Sequence, residues 1–132
     1  MLKPLFVCSA ARNRSFTARN LAILGGCHAE CAGSDSGARM PLTSGSLRDA
    51  DLIICFEKHH AQTVREFLGS EGKVIHILDI EDIYNPFDSE LVFAINNRLK
   101  SIGLDQLAGV IAHGFNQFQL NNVGKSKGKY AN

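Results

Sequence analysis

The sequence predicts one α/β domain of three layers: a four-stranded parallel sheet, helices on both faces, and an anion-binding loop after the first strand. Two observations carry this prediction. Short, wholly apolar runs alternate with helical patterns, the arrangement that builds a buried parallel sheet. The first of these runs, Pro4-Leu5-Phe6-Val7, ends in a cysteine, and a short loop then delivers an Arg-Ser pair to a helix start.

The first strand runs into Cys8, and the helical pattern Thr17-Ala18-Arg19-Asn20-Leu21-Ala22-Ile23-Leu24 follows. Cys27 to Cys31 is expected to form an edge strand, leading into a Gly- and Ser-rich loop from Gly33 to Gly45. Ser46 to Ala50 reads as a turn or two of helix. Leu52-Ile53-Ile54-Cys55-Phe56 and Val74-Ile75-His76-Ile77-Leu78 are buried strands. Between them lies a helix from Lys58 to Leu68, closed by Gly69. After the polar loop Asp79 to Phe87, Asp88 caps a helix running to about Ile102, with Leu91, Val92, Ala94, Ile95 and Leu99 on one side. Leu104, Leu107, Val110, Ile111, Phe115 and Phe118 outline a last amphipathic helix, expected to break near Gly114. Residues 1–120 are thus read as the domain and 121–132 as a flexible, lysine-rich tail.

The 132 residues suit one domain with a sizeable core. Net charge is +1, which gives no general pull toward nucleic acid or membrane. No apolar stretch is long enough to span a bilayer and the N-terminus has no signal-peptide pattern. Four cysteines, Cys8, Cys27, Cys31 and Cys55, do not suggest a secreted disulfide framework in a chain this size. Reduced thiols and a cytoplasmic location are expected, with core packing for all but Cys8. A Cys27-His28-Cys31 metal site lacks a fourth ligand nearby, so no metal and no cofactor are expected.

Residues 8–15 read Cys-Ser-Ala-Ala-Arg-Asn-Arg-Ser. Helix N-termini bear unsatisfied N–H groups and partial positive charge, and a loop ahead of one can turn several N–H groups into one concavity. Arg14 supplies a planar cation able to bond two oxygens of an oxyanion. Cys8 would lie at the floor, in a field that attracts anions. Ser15 is close enough to donate to its sulfur or to cap the helix. In open parallel sheets ligands sit beyond the carboxyl ends of the strands. The loop from Asp79 leaves the fourth strand at that same edge, so a partner acid is sought there.

With Leu5-Phe6-Val7-Cys8-Ser9, Arg14-Ser15, Thr17-Ala18, Ala32-Gly33-Ser34, Pro41-Leu42-Thr43, Ala50-Asp51-Leu52-Ile53, Glu57 with His60, Leu78 to Tyr84 and Asp88 to Leu91 in this order, the chain resembles the low-molecular-weight protein tyrosine phosphatases. It is most similar to a short bacterial branch of predicted tyrosine phosphatases. The resemblance implies phosphomonoester hydrolysis through a cysteinyl-phosphate, on a phosphorylated protein or small aryl phosphate. It implies Cys8 as nucleophile, with Arg14 and the loop Ser9, Ala10, Ala11, Arg12, Asn13 holding the phosphoryl oxygens. Ser15 would stabilise the thiolate, Asp82 would be the general acid with Asp79 as the fallback, and Tyr84 would wall the cleft. Ala10 and Ala11 stand where the family carries Gly and Asn, Asn13 where many relatives have a second cysteine, Phe16 for a proline, Arg19 for an acid, and Ile83 for the proline after the acid. That Asn is left-handed and braces the loop; an alanine there costs roughly 1 kcal/mol and braces nothing. Two other functions stay open: a phosphate or phosphoprotein binder with impaired turnover, and a thioredoxin-coupled arsenate reductase. Oligomeric state is not legible.

Overall fold

The computed structural model describes the backbone of residues 2–130 and the side chains of residues 2–122. Its elements are β1 (Pro4–Cys8), α1 (Arg14–Leu24), β2 (Glu30–Gly33), α2 (Ser44–Asp49), β3 (Leu52–Cys55), α3 (Lys58–Glu66), β4 (Ile75–Ile77), α4 (Ser89–Ser101) and α5 (Asp105–Tyr130). The sheet has four strands in the order β2-β1-β3-β4, each neighbouring pair parallel. The expected fold class is therefore the observed one.

The three layers follow from the two-residue period of a strand. On β1, Phe6 and Cys8 face one side; on β3, Leu52 and Ile54 do the same. They pack with Ala18 and Leu21 of α1, Leu91, Ile95 and Leu99 of α4, and Ala108 and Ile111 of α5. The alternate residues Leu5, Val7, Ile53 and Cys55 face the other way, onto Leu47 of α2 and Ala61 and Val64 of α3. Both faces of the central strands are covered, which is why these runs read as continuously apolar.

Several elements differ in their bounds from those expected of the sequence. The edge strand is Glu30–Gly33, not Cys27 to Cys31. Cys27 belongs to the turn that ends α1, its N–H donating to Ala22 O at 2.9 Å, so pairing starts only at Glu30 opposite Leu5. The second helix begins earlier than Ser46, at Ser44, because Thr43 caps it with Oγ1 3.0 Å from Ser46 N. The third stops at Glu66, since Phe67 is already extended (ψ 143°). Asp88 occupies the N-cap position of α4 but makes no side-chain cap; its carboxylate accepts the Asn85 N–H at 3.1 Å instead.

The predicted break at Gly114 does not occur. Glycine is there for close approach: an added Cβ would lie 1.8 Å from Leu21 O on α1, and one at Gly25 would lie 2.0 Å from Val110 O on α5. The two helices touch backbone to backbone at that point. The expected tail, 121–132, falls mostly on side chains outside the described residues; α5 carries the backbone through Tyr130. Among the described residues no helix is long and apolar enough to cross a membrane.

The chain leaves β1 for β2 through α1 on one face, then crosses to β3 on the other side of β1 and leaves it for α3 on the opposite face. The carboxyl ends of β1 and β3 thus flank a topological switch point, where open parallel sheets place their ligands. Cys8 ends β1 and Glu57 follows β3 at this edge.

Candidate active site

The loop from Ser9 to Asn13 turns over the end of β1 and feeds straight into α1. Its conformation is set from outside. The Ser34, Asp35 and Arg39 N–H groups donate to the carbonyls of Cys8, Ser9 and Ala10 at 2.8, 3.0 and 3.1 Å. This 33–39 strap lies close against the loop, and a Cβ on Gly33 would sit 2.6 Å from Ser9 O. With these carbonyls tied outward, the N–H groups of residues 9–14 donate to no protein acceptor among the described residues. They form the unspent donor set that an anion nest requires. Ala11 is fully buried at φ 56°, the left-handed conformation expected of that position.

Cys8 Sγ and Ser15 Oγ are 2.9 Å apart, both buried. Ser15 thus serves the sulfur, and the helix N-cap is Asn13. Arg14 is 2 % exposed and fixed at one corner of its guanidinium: Nη1 donates to Glu57 Oε2 at 2.6 Å and to Ile80 O at 2.7 Å. Phe56 lies under it, 5.9 Å from Cζ to the ring centroid. The Nε–Nη2 edge carries no hydrogen bond to protein among the described residues and suits two oxygens of one phosphoryl group. The ion pair holds the Glu57 carboxyl below the usual range, first through the Arg14 hydrogen bond.

Asp82 Oδ1 is 3.9 Å from Arg14 Nε, and the side chain is 63 % exposed. Asp79, the fallback, is exposed at φ 55° and lines a neighbouring groove with Glu57, Lys58, His59 and Glu81. Of the two, Asp82 is the one that reaches the Arg14 edge. Tyr84 is half-buried, packing toward the core beside Ile83, Ala94 and Arg98. Its carbonyl accepts a hydrogen bond from Asn13 Nδ2. Arg12 is exposed at the rim, and Ser9 and Ala10 are half-buried.

Two residues with places here, Glu57 and His60, entered the sequence analysis only as part of the resemblance, with no functional role. Glu57 aims Arg14. His60, fully buried, accepts the Glu57 N–H on Nδ1 at 2.9 Å, so its proton is on Nε2, which donates to Ser9 Oγ at 2.9 Å. Burial first, then the positive charge of His59, pushes its pKa down to about 4 and keeps the ring neutral. This Ser9–His60 bond braces the loop where Ala11 offers no side chain. Apart from the resemblance, the signal for the pair is Glu-x-x-His at a helix start, which equally describes ordinary capping.

Ligand atoms of Glu57, His59 and His60 lie within 4.8 Å of one another. Both His60 nitrogens and a Glu57 oxygen are already engaged, so a metal there would have to break the loop brace. Cys27, Cys31 and Cys55 are buried free thiols; burial raises all three, Cys55 to about 12.

Solved structures of low-molecular-weight phosphatases share this parallel-sheet fold. VcLMWPTP-2, a low-molecular-weight phosphotyrosine phosphatase from Vibrio cholerae, aligns over 97% of this chain and 99% of its own, at 16% identity and TM-score 0.55. Wzb of Vibrio vulnificus, solved with benzylphosphonate, covers 89% of this chain and 96% of its own (18% identity, TM-score 0.54). The YwlE arginine phosphatase of Geobacillus stearothermophilus covers 94% and 97% (18% identity, TM-score 0.53). At these identities the likeness is one of fold. No protein-family model matches the sequence, and no curated protein does.

Proposed function

We propose that this protein is a phosphomonoester hydrolase of the protein-tyrosine-phosphatase type, working through a cysteinyl-phosphate. The observation that carries it is the Cys8–Ser15 contact at the floor of a loop whose N–H groups are unspent. Ser15 O–H stabilises the Cys8 thiolate. The loop N–H groups and the Nε–Nη2 edge of Arg14 hold the phosphoryl oxygens as charge spreads over them. Sulfur attacks phosphorus from one side; the P–O bond to the leaving group breaks on the other. Asp82 passes its proton to the departing oxygen. The same carboxylate then takes a proton from water as that water attacks phosphorus, releasing inorganic phosphate and the thiolate. The substrate class is a phosphorylated protein or small aryl phosphate, and the thiol chemistry suits a reducing, cytoplasmic setting. That the neighbours include both a phosphotyrosine and an arginine phosphatase supports the phosphoryl chemistry and leaves the leaving group to experiment.

Arsenate reduction needs relay thiols. Cys27 and Cys31 are buried, Cys31 against Met40 Sδ at 3.5 Å, and Cys55 is buried in β3. Nothing in their placement favours that reading. The deciding assay is p-nitrophenyl phosphate hydrolysis: wild type turns over and Cys8→Ser does not. Absent turnover with a vanadate-induced rise in melting temperature would instead make the protein a phosphate binder.

A further inference from the structure

We infer that Asn13 is a positioning residue for the general acid, its side-chain amide latching the Asp82 loop onto the anion loop. The inference rests on the phosphatase reading above and concerns how one step of it is set up. The latch joins residues far apart in sequence: Asn13 Nδ2 donates to the Tyr84 carbonyl. A reversed amide would set carbonyl against carbonyl, so the orientation is fixed by the partner. Asn13 Oδ1 is buried with no partner among the described residues, so this side chain makes one bond, and it is the one to the acid loop.

The acid loop has little else to hold it near Asp82. Ile80 is anchored twice, by its N–H on Phe56 O at 2.9 Å and by its carbonyl under Arg14 Nη1 at 2.7 Å. Phe87 is anchored by its N–H on Thr17 Oγ1 at 3.2 Å. From Glu81 to Ile83 no hydrogen bond to the rest of the chain occurs among the described residues, and these residues are exposed, Ile83 at 70 %. Asp82 therefore stands between two hydrogen-bonded supports, Ile80 before it and Tyr84 after it, with its 3.9 Å ion pair to Arg14 Nε between them. Loss of the second would leave Tyr84 held by its half-buried ring and by the Asn85–Asp88 bonds beyond it.

The position of the latch gives it its effect. The Asn13 backbone N–H is one of the loop donors that make no hydrogen bond to protein among the described residues. Its side chain holds the carbonyl two residues beyond the acid. One residue thus registers the proton donor against phosphorus.

The test uses the whole chain carrying Asn13→Ala, with Asn13→Leu as a second variant that keeps the volume and removes the donor. kcat/KM is measured on aryl phosphates of graded leaving-group basicity, from dinitrophenyl to phenyl. A general acid matters more as the departing oxygen becomes more basic. The expected result is a loss of about tenfold or more on phenyl phosphate, part of the 10²–10⁴-fold that acid catalysis contributes, and under about threefold on dinitrophenyl phosphate. Vanadate affinity should stay within about threefold of wild type. Backbone amides of residues 81–85 should exchange with solvent faster, with those of the sheet unchanged. Equal losses along the series, or unchanged exchange at 81–85, would overturn the latch. If wild type hydrolyses none of the esters, the phosphatase reading fails on its own, and the exchange measurement alone decides whether Asn13 holds the loop.

Discussion

His60 shows how one buried side chain ties loop shape to pH. Burial keeps its ring neutral, and the neutral ring accepts a backbone N–H on Nδ1 and donates from Nε2 to Ser9. In the unfolded chain it would protonate near 6.5; folded, it resists until about 4. The depressed folded value means its contribution to stability is complete above about 6.5 and is lost as pH falls toward 4, roughly 3 kcal/mol over the full span. Melting temperature should therefore drop between pH 6.5 and 4, and His60→Asn should flatten that slope while loosening the loop; a slope unchanged in the variant would remove His60 as its source. Glu57→Gln is expected to raise the Kd for vanadate about tenfold or more, because Arg14 Nη1 loses the carboxylate that aims it. Isothermal titration of both proteins reads this directly. Cys8, Arg14 and Ser15 were legible in the sequence because a loop and a helix start keep them neighbours. The roles of Glu57 and His60 were not: they reach the loop only after β3 has been laid beside β1.

At the scale of elements, the site is a loop clamped from two sides. The 33–39 strap bonds the carbonyls of Cys8, Ser9 and Ala10, and the Asp79–Phe87 loop closes over Arg14. Gly33→Ala places a methyl 2.6 Å from Ser9 O and 2.3 Å from Ala38 Cβ. The strap must retreat, and a loss of roughly 1–3 kcal/mol in stability, as overpacking costs, should accompany weaker vanadate binding in thermal melts. For the acid loop, Asp82→Asn is expected to cut kcat/KM about 100-fold or more on phenyl phosphate while changing vanadate affinity little; an unchanged rate would exclude Asp82 from proton transfer. The strands other than β2 were legible from their apolar runs. The slip at β2 arose because Cys27, Ala29 and Cys31 alternate as well as any edge strand, while the feature that sets its true end, Gly33 opposite Cys8, has meaning only once the strap is in place.

Across the whole molecule, α5 completes the core by lying on α1 at two glycines. Gly114→Ala inserts a methyl 1.8 Å from the Leu21 carbonyl, so the helices must separate. Calorimetry should show a lower melting temperature with the near-floor chemistry, read as Cys8-dependent turnover at low temperature, largely kept. Read from sequence, Gly114 suggested a break, because a glycine's tolerance of turns is local and its use as a contact surface is not. The layer order was legible for the opposite reason: strand alternation is local and fixes both faces at once. The strand order has a further consequence, for refolding. The groups around Cys8 come from residues 8–15, 33–39, 57–60 and 79–87, joined through β1, β2, β3 and the start of α4. Such distant segments close late, since each closure costs chain entropy before it returns contact energy. Helical signal should therefore recover ahead of turnover, and regained activity would time the last step of folding.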